Sequence, residues 1–290
     1  MLHRLPAELF VHVIRIAAYE YRISDRQSVV NLAMICRTIY DIVCPILHHT
    51  LIVTDGNAKR LESLTSSIET FPPTKRILSH VRSFHSLSRR GCQFNLRLLV
   101  NVESIESLPA VSLVPLAKLK RMHITDFDFR RAVFDQIPLG VFQALTHITG
   151  LLPMVSRTYC WDLFFADPAS WMRSLLDMLP AVIHLGLAHD LPWGDDGDKS
   201  IARFDCKAVG IAVRTALREY PRIQCIAIRV GGKFAERRWA DLKTVLRDVG
   251  DPRVKVWSDL RPLKDWNDYM SLRILDVKEG RTLWAEAHSF

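Results

Sequence analysis

Several segments of this sequence contain residue types that carry chemistry in other proteins, but their spacing differs from that of the corresponding motifs. Gly231, Gly232 and Lys233 resemble the end of a phosphate-binding loop, yet Phe234 stands where that loop requires serine or threonine. The acidic residues within 195–198 resemble the start of a calcium loop, but no glutamate follows at the twelfth position. We therefore interpret the first segment as a turn after a strand and the second as a solvated loop.

The histidines and cysteines show no spacing typical of a metal site or a nucleophile with its base. The chain has 11 histidines and 6 cysteines without a C-x-x-C pair, and the side chains of the adjacent His48 and His49 diverge. Neither G-x-S-x-G nor G-x-G-x-x-G occurs. The sequence thus predicts no metal, no cofactor and no catalytic residue. An α/β enzyme stays an alternative, because residues distant in sequence can meet in a folded chain.

Positive charge is concentrated in two parts of the chain. The 39 basic residues exceed the 31 acidic residues and give a net charge of +8. Residues 75–90 contain five bases and no acid, and residues 214–255 contain eleven bases and five acids. Such a field attracts acidic partners or nucleic acid, so a basic nucleic-acid-binding α/β protein is another alternative. A solvated, mixed-charge helix face is the simpler interpretation.

The first fifty residues have the pattern of short amphipathic helices. Pro6 is suited to a first helical turn, and apolar residues such as Leu9 and Val13 recur at helical spacing. Ser24 or Asp25 is a suitable N-cap for a second helix, and Pro45 is predicted either to end this helix or to start a short third turn. Helices this short cannot bury all their apolar residues among themselves, so some are predicted to contact the rest of the chain or a partner protein.

The order of these residues resembles an F-box. The segments that carry the resemblance are Leu5-Pro6-x-Glu8-Leu9, Leu32-Ala33-Met34-Ile35-Cys36-Arg37 and Pro45-Ile46-Leu47-His48-His49-Thr50-Leu51. The pattern is most similar to the F-box-like proteins of mushroom-forming fungi, in which this motif leads into degenerate leucine-rich repeats, and it covers about residues 4–53. It departs from the family at Ile39, where F-boxes often have tryptophan, although Tyr40 is adjacent.

The resemblance implies that residues 1–53 form a helical F-box-like domain. Such a domain docks on the Skp-type adaptor of a cullin–RING (SCF-type) ubiquitin ligase, and it performs no catalysis. Carried over to this sequence, the apolar contacts to the adaptor come from Leu5, Pro6, Leu9, Val13, Ile35 and Ile39, and Pro45 sets the exit turn.

Residues 54–290 have the pattern of alternating strands and helices. L-x-x-L-x-L segments occur at 119–124, 182–187 and 223–228, shorter versions at 81–84, 102–105 and 145–148, and a last strand is predicted at 254–257. Helices between the later strands are predicted from the N-caps Asp167 and Asp205 and from Gly250 at a helix end. The fold class is therefore α/β: an irregular, leucine-rich-repeat-like solenoid of parallel strands with outer helices, closed by a capping helix within 281–290. An ordinary open α/β sheet is the alternative.

Together these features predict a substrate-recognition protein of the ubiquitin pathway. The strand face or loop rim of the second domain is expected to bind a substrate protein. Its basic character favours an acidic or phosphorylated substrate, with Arg229, Lys233, Arg237 and Arg238 as candidate contacts. The start of the chain lacks the apolar run of a signal peptide, and no membrane span is predicted, so we expect an intracellular protein of the cytoplasm or nucleus.

Overall fold

The N-terminal part of the protein is a unit of three helices. The structure is a computed structural model that describes residues 6–66, 72–87, 98–107, 116–124, 139–151, 166–191, 205–232, 235–261, 266–279 and 281–289. The helices of this unit are α1 (Ala7–Ser24), α2 (Arg26–Ala33) and α3 (Arg37–Leu47). Asp25 caps α2 as predicted, because its carboxylate accepts a hydrogen bond from the backbone N–H of Ser28.

Two predictions about this unit are wrong. The chain turns between Ala33 and Arg37 instead of continuing as one helix, and this turn allows α2 and α3 to pack against each other as well as against α1. Pro45 does not end α3 but lies inside its last turn. There a proline removes only the hydrogen bond that its N–H would have donated to the carbonyl of Asp41, and burial of Val43 and Ile46 offsets that loss.

The described strands form a single parallel sheet of eight strands in strict chain order. The strands are β1 (Thr50–Val53), β2 (Ser83–Ser86), β3 (Ser104–Ser107), β4 (Arg121–Ile124), β5 (His147–Leu151), β6 (His184–Leu191), β7 (Cys225–Gly232) and β8 (Val254–Ser258). Every predicted strand segment overlaps one of them. Strand β1 begins three residues after α3 ends, so the helical unit leads directly into the sheet. This order and direction are compatible with a solenoid-like α/β fold.

One face of the sheet carries the main hydrophobic core. Alternate residues such as Phe84, Ile105, Met122 and Ile148 point to this face and are buried by helices. The helices between the strands are α4 (Ala58–Ser66), α5 (Pro72–Leu78), α6 (Leu139–Ala144), α7 (Pro168–Met178), α8 (Cys206–Glu219) and α9 (Ala235–Val249). None of the helices in the described part of the chain combines the length and apolarity that a membrane crossing requires.

The helix ends in this second part follow the sequence signals. Asp167 and Asp205 accept hydrogen bonds from backbone N–H groups in the first turns of α7 and α8. Gly250 follows α9 with a φ angle of 65°, in the left-handed region that favours glycine. These caps confirm the predicted starts of α7 and α8 and the predicted end of α9.

The opposite face of the sheet, which we call the polar face, is partly covered by the C-terminal helices α10 (Trp266–Glu279) and α11 (Leu283–Glu286). Arg273 of α10 donates hydrogen bonds to Glu106 on β3. Leu283 of α11 belongs to a small apolar cluster with residues of β7 and β8, and His288 pairs with Val256 on the outer edge of β8. The segment expected to cap the last repeat therefore reaches the edge of β8 at one residue, while its helix lies across the polar face.

The position of α11 makes Gly186→Ala a test of this packing. A Cβ at Gly186 would lie 2.6 Å from Thr149 Oγ1 and 2.8 Å from Leu283 Cδ2. We expect the variant to lower the free energy of unfolding by about 1–3 kcal/mol, measured by urea denaturation. Gly140→Ala is the matched control, because a Cβ there meets nothing within 4 Å and alanine favours the helix. Equal stability of Gly186→Ala and the parent chain would contradict the placement of α11.

Candidate functional site

Helix α1 exposes apolar side chains on the side opposite its buried side. Leu9, Val13 and Ile16 are 51%, 55% and 48% exposed, respectively. At about 100° per residue they fall on one side of the helix, and we call this set the apolar stripe. The buried residues Ile14 and Ala18 lie on the other side and contact α2 and α3 through the core of the helical unit. Helix α1 is therefore apolar on both sides, although only one is buried within the chain.

The turn between α2 and α3 adds two further exposed apolar residues. Met34 is 77% exposed and Ile35 is 66% exposed, and both precede the extended residue Cys36. Large apolar side chains exposed to this degree are unfavourable in water unless a partner covers them. The three-helix unit thus provides candidate contacts on α1 and on this turn.

The residues predicted to contact an adaptor fall into two groups in the structure. Leu9, Val13, Ile35 and the N-cap residue Pro6 are exposed. Ile39 is buried in the core of the helical unit, so it supports α3 and is not available to a partner. The other two are Leu5, which lies outside the described residues, and Pro45, which is partly buried in the last turn of α3.

Arg229, predicted as a substrate contact, is not at the surface. Its side chain is 3% exposed, its Nη2 donates to Asp259 Oδ2 at 2.7 Å, and its guanidinium lies 4.3 Å from the ring centre of Trp257. The charge of Arg229 is therefore paired inside the protein. Its side chain does not reach the surface, so the prediction that it contacts a substrate is wrong. Lys233 lies outside the described residues, and Arg237 and Arg238 lie on α9, where their side chains are not described.

Other arginines of the basic segment 214–255 are also bound within the chain. Arg253 donates to the carboxylate of Asp251 and to the carbonyls of Ile223 and Leu217. Arg222 donates to the carbonyl of Leu176. The positive surface of this segment is therefore smaller than its composition suggests, and this weakens the nucleic-acid alternative.

A chain of hydrogen bonds crosses the polar face from β2 to α10. Ser83 Oγ lies 2.8 Å from His85 Nε2, and His85 Nδ1 lies 2.8 Å from Glu106 Oε2. The second oxygen of Glu106 accepts from Arg273 Nη2 at 2.7 Å. His123 on β4 is the next neighbour, with Nε2 3.7 Å from the same oxygen. Strand register produces this row, because His85, Glu106 and His123 are paired across adjacent strands.

Glu106 is ionised in this environment. Burial raises the pKa of its carboxyl, but Arg273, His123 and His85 lower it, and the balance leaves the pKa well below its ordinary value. A carboxylate only accepts hydrogen bonds, so the proton between Glu106 and His85 resides on Nδ1 of the imidazole. His85 Nε2 is then the acceptor for the hydroxyl of Ser83.

A second group of ion pairs holds α10 against the sheet. Asp276 of α10 is fully buried and its Oδ1 lies 2.7 Å from Arg261 Nη1. Asp259 accepts from both Arg229 and Arg261 at 2.7 Å. With Glu106 and Arg273, this cluster balances three carboxylates against three guanidinium groups in the described residues, as buried charges require.

This polar row was not predicted, although the sequence contains a pattern that indicates it. Ser83 and His85, Ser104 and Glu106, and Arg121 and His123 occupy alternate positions of three successive strands. Polar residues at a period of two predict one polar face in each strand, and equal register aligns them. The L-x-x-L-x-L repeats, by contrast, are defined only by the apolar positions of the strands.

Comparison with known proteins identifies no relative: no protein-family model and no curated protein matches the chain. The F-box resemblance therefore rests on the quoted residues.

Removing the Glu106 carboxylate tests the buried ion pairs. Glu106→Gln leaves Arg273 without its nearest counter-charge, so we expect the free energy of unfolding at pH 7 to fall by about 3–5 kcal/mol in urea denaturation. Asp41→Asn is the control, because its ion pair with Arg37 is exposed and is worth no more than about 1 kcal/mol. Equal effects of the two substitutions would contradict the burial of this network.

Protonation of buried histidines predicts the pH dependence of stability. Burial lowers the pKa of His123 to about 3 from its ordinary value of 6.5, so below pH 6.5 the unfolded chain binds a proton that the native chain excludes. Stability therefore falls as the pH drops from about 6.5 towards 3. We expect His123→Gln to reduce the slope of unfolding free energy against pH between 6.5 and 5, measured by urea titrations at several pH values. An unchanged slope would show that His123 does not contribute.

Proposed function

We propose that this protein is a substrate-recognition adaptor of an SCF-type ubiquitin ligase. In this proposal the three-helix unit is an F-box that docks on a Skp-type adaptor and through it on a cullin. The remainder of the chain binds a substrate protein. The protein performs no chemistry in ubiquitin transfer and acts by bringing two proteins together.

The observation that carries this proposal is the apolar stripe of α1. Its residues Leu9, Val13 and Ile16 are about half exposed, although the helix buries Ile14 and Ala18 on its other side. A helix that is apolar on both sides gains stability when a second surface covers the exposed side. Binding of such a helix in an apolar groove depends on a few anchor residues, which matches the small number of exposed apolar residues here.

The exposed part of the polar face supports a proposed position for the substrate. Helices α10 and α11 cover part of the polar face. The open part lies at the start of β2, β3 and β4, where Ser83 and Ser104 are partly exposed and Arg121 is exposed. In our proposal this region, and not the buried Arg229, meets the substrate. An acidic or phosphorylated substrate stays a prediction, with Arg121 as its described positive contact.

Substitution of the apolar stripe tests the adaptor contact. Leu9→Asp and Val13→Asp place a charge where an apolar groove would lie, so we expect each to weaken binding to a purified Skp-type adaptor by at least about 30-fold, measured by isothermal titration calorimetry. Because both residues are exposed, each variant is expected to keep the unfolding midpoint of the parent chain within a few degrees.

Ile211→Asp is the matched control for this experiment. Ile211 is an exposed apolar residue on α8, far from the helical unit in sequence and outside its core. We expect this variant to bind the adaptor like the parent chain. The proposal is overturned if the parent chain fails to bind an adaptor that binds another F-box protein, or if Ile211→Asp and Leu9→Asp weaken binding equally.

A further inference from the structure

We propose that Ser83, His85 and Glu106 form a nucleophile, base and orienting carboxylate that react with esters of carboxylic acids. This activity goes beyond the proposed adaptor function and does not depend on it. The geometry that points to it is the continuous hydrogen-bond chain Ser83 Oγ to His85 Nε2 at 2.8 Å and His85 Nδ1 to Glu106 Oε2 at 2.8 Å. Both distances lie within the reach that general-base activation of a serine requires.

The roles within the chain follow from which atoms can donate. Buried Glu106 only accepts, so His85 donates from Nδ1 and presents the lone pair of Nε2 to the hydroxyl of Ser83. Arg273 binds the other carboxylate oxygen and thereby fixes the orientation of Glu106. Glu106 is a positioning residue in this arrangement, since it acts on Ser83 only through the imidazole.

The nucleophile is accessible and lies in a positive environment. Ser83 is partly exposed in the row that continues through Ser104 to Arg121, the open part of the polar face. Arg121 is exposed at the end of this row, and a cation there favours the negative charge that develops on a carbonyl oxygen under attack.

The proposed reaction is ordinary acyl transfer. The Oγ of Ser83 attacks the carbonyl carbon of the ester while its proton moves to His85 Nε2. The tetrahedral intermediate then breaks its bond to the alcohol oxygen, which leaves with the proton from Nε2 and yields an acyl-serine. Water attacks this acyl group with Nε2 as the base, the bond to Oγ breaks, and the proton returns to Ser83.

A fluorophosphonate probe tests whether Ser83 is activated. The Oγ of an activated serine attacks phosphorus, fluoride leaves, and the proton moves to the imidazole, so labelling reports the nucleophile without knowledge of the natural ester. We expect labelling of the full chain at Ser83, located by peptide mass spectrometry. We expect the rate to fall by at least about 100-fold in Ser83→Ala and in His85→Gln.

Ser170→Ala is the control, because Ser170 is an exposed serine in the first turn of α7 and lies outside the row from Ser83 to Arg121. It is expected to keep the parent rate. The proposal is overturned if the native chain is not labelled at Ser83, or if Ser83→Ala is labelled as fast as Ser170→Ala. It is also overturned if His85→Gln keeps the parent rate while its thermal unfolding is unchanged.

The pH profile of labelling separates positioning by Glu106 from a structural role. The charged or titratable groups that face His85 in the described residues are Glu106, His123 and Arg273. The carboxylate holds the imidazole with Nε2 towards Ser83, so we expect Glu106→Gln to change the shape of the rate profile against pH as well as its height. A rate that falls by the same factor at every pH would assign Glu106 a structural role alone.

Discussion

Three buried carboxylates must be matched by positive groups, and this requirement determines how the C-terminal part of the chain is placed. Glu106 and Asp259 lie on and just after strands of the sheet, and Asp276 lies on α10. Each is bound by arginine, and removing a partner from such a buried pair leaves an uncompensated charge. The position of α10 on the polar face is therefore fixed by charge pairing as well as by apolar contact.

Different interactions stabilise the two faces of the sheet. Apolar packing on one face supports the fold, whereas hydrogen bonds on the other face orient polar side chains. On the helix-covered face, residues such as Phe84 and Ile148 bury apolar area, which is favourable but not directional. On the polar face, Ser83, His85 and Glu106 are held by hydrogen bonds of defined direction. Only the second kind of contact orients a side chain well enough for chemistry. The helical unit is different again, since its apolar stripe is oriented by the helix alone.

Local signals in the sequence predicted the strands and the helix ends, whereas pairing over long distances was not predictable. Asp25, Asp167 and Asp205 act through hydrogen bonds to residues two or three positions away, so each can be recognised alone. The turn after Ala33 depends on packing between α2 and α3, and no glycine or proline marks it. The pair of Glu106 and Arg273 spans 167 residues, so no local pattern predicts it. Burial of Arg229 depends on its pairing with Asp259, so composition alone assigned its charge to the surface.

The long separation in sequence between Glu106 and Arg273 also affects how the protein folds during synthesis on the ribosome. Each parallel strand pairs with the one made just before it, so the sheet can grow during synthesis from β1 onwards. At roughly 5–20 residues per second, Arg273 emerges about 10 to 30 s after Glu106. Until Arg273 emerges, α10 cannot cover the polar face, and the carboxylate of Glu106 stays in contact with water. Docking of α10 is then a late step of folding that removes this water.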